Sequence, residues 1–327
     1  METIVASRLK KYYRVHQKEP GLAGSLKSLV RRRYETVKAV DELSFKINQG
    51  ELVGFIGPNG AGKTTTLKCL SGLLYPDSGF LSVLGYTPWD RQSEFLKRIS
   101  FVMGQKSQLW WDLPPMETFL LNKEIYQIPG AQFEQTLSEL VDLLDVSEVL
   151  KVQTRKLSLG QRMKCELIAA LLHRPEVLFL DEPTIGLDVV MQKKVRDFIK
   201  AYNQKYQSTV ILTSHYMGDV QELAKRVIII DKGIVVFDGL LEEITNKYAD
   251  HKLVSAVFKK PVTRADLKGL GKIKDFDPFK VSLSIKKDRV PVLAAKLLEK
   301  FPVKDLDIEE PPIEDIIREL FTGKDYA

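Results

Sequence analysis

A few residues in this chain have the types and spacing needed to handle a chain of phosphates and a divalent cation. Gly57-Pro58-Asn59-Gly60-Ala61-Gly62-Lys63-Thr64-Thr65 fits the pattern G-x-x-x-x-G-K-[ST]. An apolar run, Leu52 to Ile56, precedes it and reads as a buried strand. Lys63 to Leu74 follows it and reads as a helix, with Leu67, Leu70, Leu73 and Leu74 at helical spacing. In that context the glycines let successive backbone N–H groups turn inward around an anion, and the helix N-terminus adds partial positive charge. Lys63 supplies a full charge for the outer phosphates, and the Thr64 hydroxyl can ligate Mg²⁺. A plain Gly-rich turn is the alternative reading, but it leaves the Lys-Thr pair unexplained.

Other polar residues stand where apolar runs stop. Asp181 closes the apolar strand Val177–Leu180, 118 residues after Lys63, and a carboxylate there can hold Mg²⁺ through its water shell opposite Thr64. Glu182 points differently from Asp181 at a strand end, so it can act on a water as general base. Taken alone, an Asp-Glu pair is more often a helix start. His215 and Gln105 also end strands, at what should be the carboxyl edge of a parallel sheet, where ligands bind. A lone His is usually a satisfied surface or core residue, but at this edge His215 would hydrogen-bond the terminal phosphate. The Gln105 amide can reach Mg²⁺ and the water, its plainer reading being a polar strand terminus. Ser158-Leu159-Gly160-Gln161 opens a helix. Ser158 alone reads as an N-cap, yet the same geometry offers a hydroxyl, N–H groups and a dipole to an anion. One helix start is already taken by the phosphate loop, so a second suits the nucleotide of another subunit.

The elements that must position these residues are partly visible. Residues 1–13 read as an edge strand. Residues 15–36 read as a basic amphipathic helix, with Leu22, Leu26, Leu29 and Val30 at helical spacing beside Lys27, Arg31, Arg32 and Arg33. Such a helix either lies solvated on the surface or faces a membrane or partner. Strands are expected at Val37–Asn48, Leu81–Leu84, Ile99–Met103 and Val210–Leu212, and a hairpin around Asp231-Lys232-Gly233. Residues 114–150, 155–174 and 189–204 are mostly helical. After about Gly239 the order becomes strand, helix (Thr263–Lys268), strand, strand, helix (Val290–Lys300), strand. That is the split βαβ of a ferredoxin-like domain. A last helix, starting at Pro311-Pro312, carries Ile313, Ile316, Ile317, Leu320 and Phe321 on one face.

Bulk properties narrow the class. A chain of 327 residues with 44% apolar content suits two domains with proper cores, and a net charge of +6 suits an anionic partner. Cys69 and Cys165 lie in apolar helical contexts and read as buried thiols. The start, Met1 to Ser7, lacks a signal layout, and no apolar run approaches a bilayer span. Any membrane span would come from another chain.

Taken together, the chain resembles the ATP-binding cassette (ABC) ATPases. Gly57–Thr65, Gln105, Leu157–Gln161, Leu178–Glu182, Leu187-Asp188 and His215 match, in order, the Walker A, Q-loop, signature, Walker B, D-loop and H-loop. The resemblance covers roughly residues 1–240. It implies an α/β fold: a P-loop ABC nucleotide-binding domain with a mixed sheet and a helical subdomain at about 106–170, followed by a small α+β ferredoxin-like accessory domain at 241–327. It implies ATP and Mg²⁺, and a head-to-tail homodimer or heterodimer of ATPase subunits with two ATPs between them. Lys63, Thr64, Gln105, Asp181, Glu182 and His215 would act on one side. Ser158, Gly160 and Gln161 would reach in from the partner, with Asp188 bridging the subunits. Tyr13 fits the adenine-stacking position best, and Tyr34 is a rival.

The signature carries Leu159 where Gly is commonest, which preserves the N–H but puts tight closure in question. The tail and the stretch Gln105–Pro114 resemble the cassettes of ABC-2 type exporters. The expected function is therefore the ATPase subunit of an exporter, peripheral on the cytoplasmic face of the cell membrane, with integral-membrane permease partners and no nucleic acid. Repair ATPases carry a coiled coil between Walker A and signature, but Lys63 and Ser158 are only 95 residues apart. Translation types usually carry two cassettes, and the ABC-2-like tail and basic insert argue against an importer. Trp110 and Trp111 read first as a buried anchor. If exposed, they would border the groove that receives a permease helix.

Overall fold

The apolar runs of this sequence become strands buried on both faces, and that sets where the polar strand ends meet. The computed structural model describes residues 1–17, 33–104, 106–248, 251–313 and 316–317. The chain divides into two units, residues 1–239 and 240–327. In the first, β1 (Glu2–Gln17) and β2 (Arg33–Asn48) are followed by β3 (Leu52–Ile56), α1 (Lys63–Leu70), β4 (Ser78–Val83), α2 (Ser93–Leu96) and β5 (Ile99–Met103). Helices α3 (Pro115–Ile125), α4 (Gly130–Leu144) and α5 (Leu159–Leu171) lead to β6 (Val177–Asp181), α6 (Val189–Tyr206) and β7 (Thr209–Thr213). Helix α7 (Met217–Leu223), β8 (Arg226–Asp231) and β9 (Ile234–Leu240) complete it.

Six strands form one sheet in the order β5-β6-β7-β3-β8-β9. The pairs β5–β6, β6–β7, β7–β3 and β3–β8 are parallel. Every residue of β6 and of β7 is buried, as expected of parallel strands covered on both faces. The two-residue alternation of a strand divides the core. Leu178, Leu180, Val210 and Leu212 pack with α4, α5 and α6. Val177, Phe179, Ile211, Phe55 and Ile228 pack on the other side with Leu67 and Leu70 of α1 and the apolar face of a second sheet. Cys69 and Cys165 are buried free thiols, and burial pushes each up to about 12.

Three expectations are corrected here. Residues 1–13 are not an edge strand: β1 is the middle strand of the three-stranded sheet β2-β1-β4 and runs on to Gln17. The ends of the expected helix at 15–36 are strand, with Val15 opposite Glu35, His16 opposite Tyr34 and Gln17 opposite Arg33. Residues 18–32, with the leucines that suggested the helix, lie outside the described residues. Helix α1 stops at Leu70, not Leu74, because Ser71-Gly72 turns the chain and leaves Leu73 exposed.

In the second unit a short helix, α8 (Leu241–Tyr248), precedes β10 (His251–Phe258), β11 (Lys272–Asp277), β12 (Lys280–Lys286), α9 (Val290–Lys300) and β13 (Val303–Glu309). The sheet order is β11-β12-β10-β13, and every neighbouring pair is antiparallel. That is the strand order of a ferredoxin-like sheet, with Leu293 and Leu297 of α9 buried against it. The first crossover helix is missing: residues 263–268 form turns. Thr263 and Asp266 make the reciprocal contacts of a capping box, Asp266 accepting from the Thr263 N–H (2.9 Å) and its own N–H donating to Thr263 Oγ1 (3.4 Å). The bonds that follow, from Lys268 N–H to the Ala265 carbonyl and from Leu270 N–H to the Leu267 carbonyl (3.2 Å each), reach back only three residues and make turns. Ile313, Ile316 and Ile317 are buried. Leu320 and Phe321 lie outside the described residues.

Candidate functional site

Strand register brings the polar strand ends together. Met103 pairs with Asp181, and Asp181 pairs with Thr213. The next residues, Gly104, Glu182 and Ser214, therefore lie side by side at one edge of the sheet. Strand β3 lies beside β7 and delivers the loop Gly57–Gly62 to that same edge. This is the carboxyl edge of a parallel sheet, where loops form a ligand crevice.

The geometry of the loop suits an anion. Gly62 has φ +104°, and a Cβ there would fall 2.1 Å from the Ala39 carbonyl oxygen, so only glycine fits this approach to β2. Helix α1 begins at Lys63 with no side-chain cap and no acidic residue in its first turn. Its first N–H groups are left for another acceptor. Lys63 is 6% exposed, and Nζ donates to the carbonyls of Gly57 (2.7 Å) and Pro58 (3.1 Å). Burial pushes its ammonium below the ordinary lysine value, and the charges of Glu182 and Asp181 only partly oppose this. A buried cation with neutral partners beside an uncapped helix start fits a polyphosphate.

Next to it, the Thr64 hydroxyl donates to Asp181 Oδ2 (2.8 Å), and the Thr213 hydroxyl donates to Asp181 Oδ1 (2.6 Å). Adjacent oxygens in an octahedral Mg²⁺ shell sit about 2.9 Å apart, given bonds of about 2.1 Å. The Thr64–Asp181 oxygens have that spacing and the right hard chemistry. Among the described residues no group of three or more His, Cys, Asp or Glu side chains is arranged to hold a metal. Further ligands would be water, phosphate oxygens or a side-chain amide.

Glu182 adopts φ +56°, a left-handed conformation that costs a non-glycine residue energy. Its N–H donates to the Thr213 carbonyl (3.1 Å), and its own carbonyl crowds Gly104, where a Cβ would fall 2.0 Å away. This turn separates the Glu182 carboxylate from that of Asp181, and Oε1 lies 2.6 Å from His215 Nε2. Thus Lys63, Thr64, Asp181, Glu182 and His215 converge. Gln105 lies outside the described residues. Its neighbour Gly104 is held at this edge by an N–H donated to the Asp181 carbonyl (2.9 Å).

The signature residues are elsewhere. Ser158 caps α5 in a reciprocal capping box: Gln161 N–H donates to Ser158 Oγ (3.2 Å), and Ser158 N–H donates to Gln161 Oε1 (3.0 Å). A Cβ on Gly160 would fall 3.0 Å from Met191, and one on Gly186 would fall 3.0 Å from the Leu159 side chain. Asp188 caps α6, accepting from Met191 N–H (2.9 Å). Among the described residues no hydrogen bond or ion pair links Ser158, Gly160, Gln161 or Asp188 to the phosphate loop of the same chain.

The two tyrosines separate. Tyr13 pairs across the ribbon with Val37, and His16 pairs with Tyr34. Residues 13 and 16 are an odd number apart, so these pairs occupy opposite faces. Tyr34 is engaged edge-on with His16 (5.7 Å between centroids). Tyr13 is partly exposed beside Val37, two residues from the Ala39 carbonyl that meets Gly62.

Trp110 and Trp111 are 56% and 53% exposed, not buried anchors. Asp112 accepts from the Arg155 guanidinium (2.9 Å), and Arg162 lies over the Trp111 ring at 5.7 Å.

Two features escape a sequence reading. Thr213 serves both carboxylate residues, with only its place at a strand end as a signal. Behind it, Asp219 is fully buried. It accepts from Arg196 (2.9 Å), from Ser214 Oγ (2.6 Å) and from the Thr184 hydroxyl, tying the segments that carry His215 and Glu182.

The family profile described as "ABC transporter" matches residues 40–185, and that of the "EvrA-like ABC transporter, C-terminal domain" matches residues 250–309. The bacitracin transport ATP-binding protein BcrA of Bacillus licheniformis is 34% identical over 213 residues, 65% of this chain and 67% of that protein. The linearmycin resistance ATP-binding protein LnrL of Bacillus subtilis is 27% identical over 304 residues, 90% of this chain and 97% of its own length. A solved ATP-binding subunit of an ABC transporter superposes with a TM-score of 0.61 at 23% identity, covering 75% of this chain and 93% of that one, a likeness of fold. With these matches added to the converging site, the chain is an ATPase of the ATP-binding cassette family of ABC transporters.

Proposed function

We propose that the chain is the ATP-hydrolysing subunit of an ABC-2 type exporter and works as a dimer on separate membrane-spanning subunits. The observation that carries the hydrolytic reading is the convergence of Lys63, the Thr64–Asp181 pair and the Glu182–His215 pair at one sheet edge. Mg²⁺-bound ATP supplies the phosphoryl group that is transferred to water. The Lys63 ammonium offsets phosphate charge, and the uncapped start of α1 adds N–H donors. Thr64 and Asp181 hold Mg²⁺, with Gln105 as a further ligand. Glu182 takes the proton from water as its oxygen attacks, and His215 fixes the carboxylate. Tyr13 offers a ring face to adenine. Ser158, Gly160 and Gln161 of one subunit meet the terminal phosphate on the other, and Asp188 bridges between them.

The exporter assignment draws on the drug and antibiotic transport or resistance named for the relatives, and on the two exposed tryptophans as a surface for a membrane subunit. No helix among the described residues is long and apolar enough to cross a membrane. The span would come from the partner, with this chain peripheral on the cytoplasmic face.

The test is sedimentation of Glu182→Gln protein with ATP, alone and combined with Ser158→Arg. ATP should produce a dimer in the first and only monomer in the second, while both bind nucleotide. Dimerisation of the double variant would overturn the composite site.

A further inference from the structure

Helix α5 carries a carboxylate that hydrolysis does not use. Glu166 lies two turns after Ser158 and is 4% exposed. It accepts from the Ser107 hydroxyl (2.5 Å), from the Gln108 N–H through both oxygens (2.9 Å each), and from the Leu109 N–H at 3.4 Å. Burial pushes its carboxyl above the ordinary glutamate value, and these donors together with Arg162 pull the other way. No cation is within ion-pair distance of Glu166 among the described residues, so the backbone of the loop provides its solvation. A buried carboxylate that loses such donors is left at high cost. The loop and the helix are therefore held together tightly.

The rest of the loop is bound to the lead-in of the same helix. Arg155 N–H donates to the Trp111 carbonyl (3.0 Å), and Thr154 donates to the Leu113 carbonyl through its N–H (3.0 Å) and hydroxyl (2.8 Å). Arg162, one turn before Glu166, covers the Trp111 ring. On the other side, the Gln108 side chain donates to the Phe101 carbonyl in β5. The loop thus bridges the sheet edge and the signature helix, and Trp110 and Trp111 are its exposed aromatic residues.

We infer that Glu166 is a positioning residue: it fastens the Ser107–Leu109 backbone to the signature helix, so that Trp110-Trp111 and Ser158 move as one body. The inference rests on the transport reading for its purpose, since a load on the tryptophans then reaches Ser158 directly.

The test uses the full chain with Trp89→Phe, which leaves Trp110 and Trp111 as the only tryptophans. Glu166→Ala and the near-isosteric Glu166→Gln are added separately. Without nucleotide, hydrogen exchange at the Gln108 and Leu109 amides should quicken by about tenfold or more in Glu166→Ala, and less in Glu166→Gln, which keeps one acceptor oxygen. The Thr154 and Arg155 amides should stay as protected as before, which general loosening would not allow. With ATP and Glu182→Gln present, tryptophan emission should change on dimerisation when Glu166 is intact. That change should be smaller in Glu166→Ala, because the Arg155–Trp111 and Thr154–Leu113 bonds remain, while sedimentation still shows a dimer. Unchanged exchange at Gln108 and Leu109, or an emission change of full size in Glu166→Ala, overturns the inference. Failure of the Glu166-intact protein to dimerise overturns the proposed function instead, and the exchange result still decides the role of Glu166.

Discussion

Replacing Lys63 by alanine separates a phosphate-binding charge from a structural one. In the structure Nζ donates to two carbonyls at 2.7 and 3.1 Å, yet burial disfavours its charge. Without nucleotide the substitution removes two hydrogen bonds and also removes a costly buried cation. These effects oppose, so the melting temperature should move by no more than about 3 °C, on the order of 1 kcal/mol. With nucleotide, a charged hydrogen bond worth about 1.5–3 kcal/mol is lost with nothing to offset it. ATP affinity should fall by about 10- to 150-fold. Fluorescent-nucleotide titration measures the affinity, and thermal unfolding with and without Mg²⁺-ATP measures the rest. Affinity within about threefold of wild type would refute the phosphate assignment. A large loss of melting temperature without nucleotide would show that Lys63 chiefly props the loop.

Three further outcomes are expected. Glu182→Gln should lower steady-state ATPase activity by about 10²–10⁴-fold with ATP binding retained; turnover within a factor of about two of wild type removes Glu182 as the base. Double replacement of Trp110 and Trp111 by alanine should reduce transport more than the ATPase activity of the isolated subunit, whereas equal loss with a lower melting temperature would mark the pair as structural. Asp219→Ala leaves Arg196 and two hydroxyls facing a fully buried gap, so urea unfolding should show a loss of about 3–5 kcal/mol; a loss below about 1 kcal/mol would mean that Glu222 and water replace the carboxylate.

The phosphate loop was legible because its information is local: strand, turn glycines and Lys-Thr all fall within Leu52–Leu70. The apolar runs of β6 and β7 were legible because burial on both faces leaves no alternation to misread. The ribbon of β1 and β2 was not. Its partners lie across residues 18–32, so helical spacing near Leu22–Val30 outweighed a pairing that only the fold makes. At 263–268 the sequence carries a genuine helix-start signal, the Thr263–Asp266 capping pair, but the backbone bonds after it reach back only three residues, so the segment makes turns. Exposure of Trp110 and Trp111 could not be read from their neighbours, because it follows from bonds made to Thr154, Arg155 and Glu166, more than 40 positions away.

Under the proposed function, Ser158 combines a structural role with a functional one. Its capping box satisfies its own N–H and that of Gln161, two of the orphan donors at the start of α5. The box uses the hydroxyl only as an acceptor, so its proton stays available to a phosphate oxygen. The remaining free N–H groups of that first turn, including Gly160, point past the helix end with the dipole behind them. A cap therefore prepares this helix start for an anion without consuming it. Leu159 covers Gly186 on the same chain, next to the loop that ends at Asp188. That contact fixes the signature turn against the segment proposed to meet the second subunit, so the two elements of one chain reach the dimer interface together.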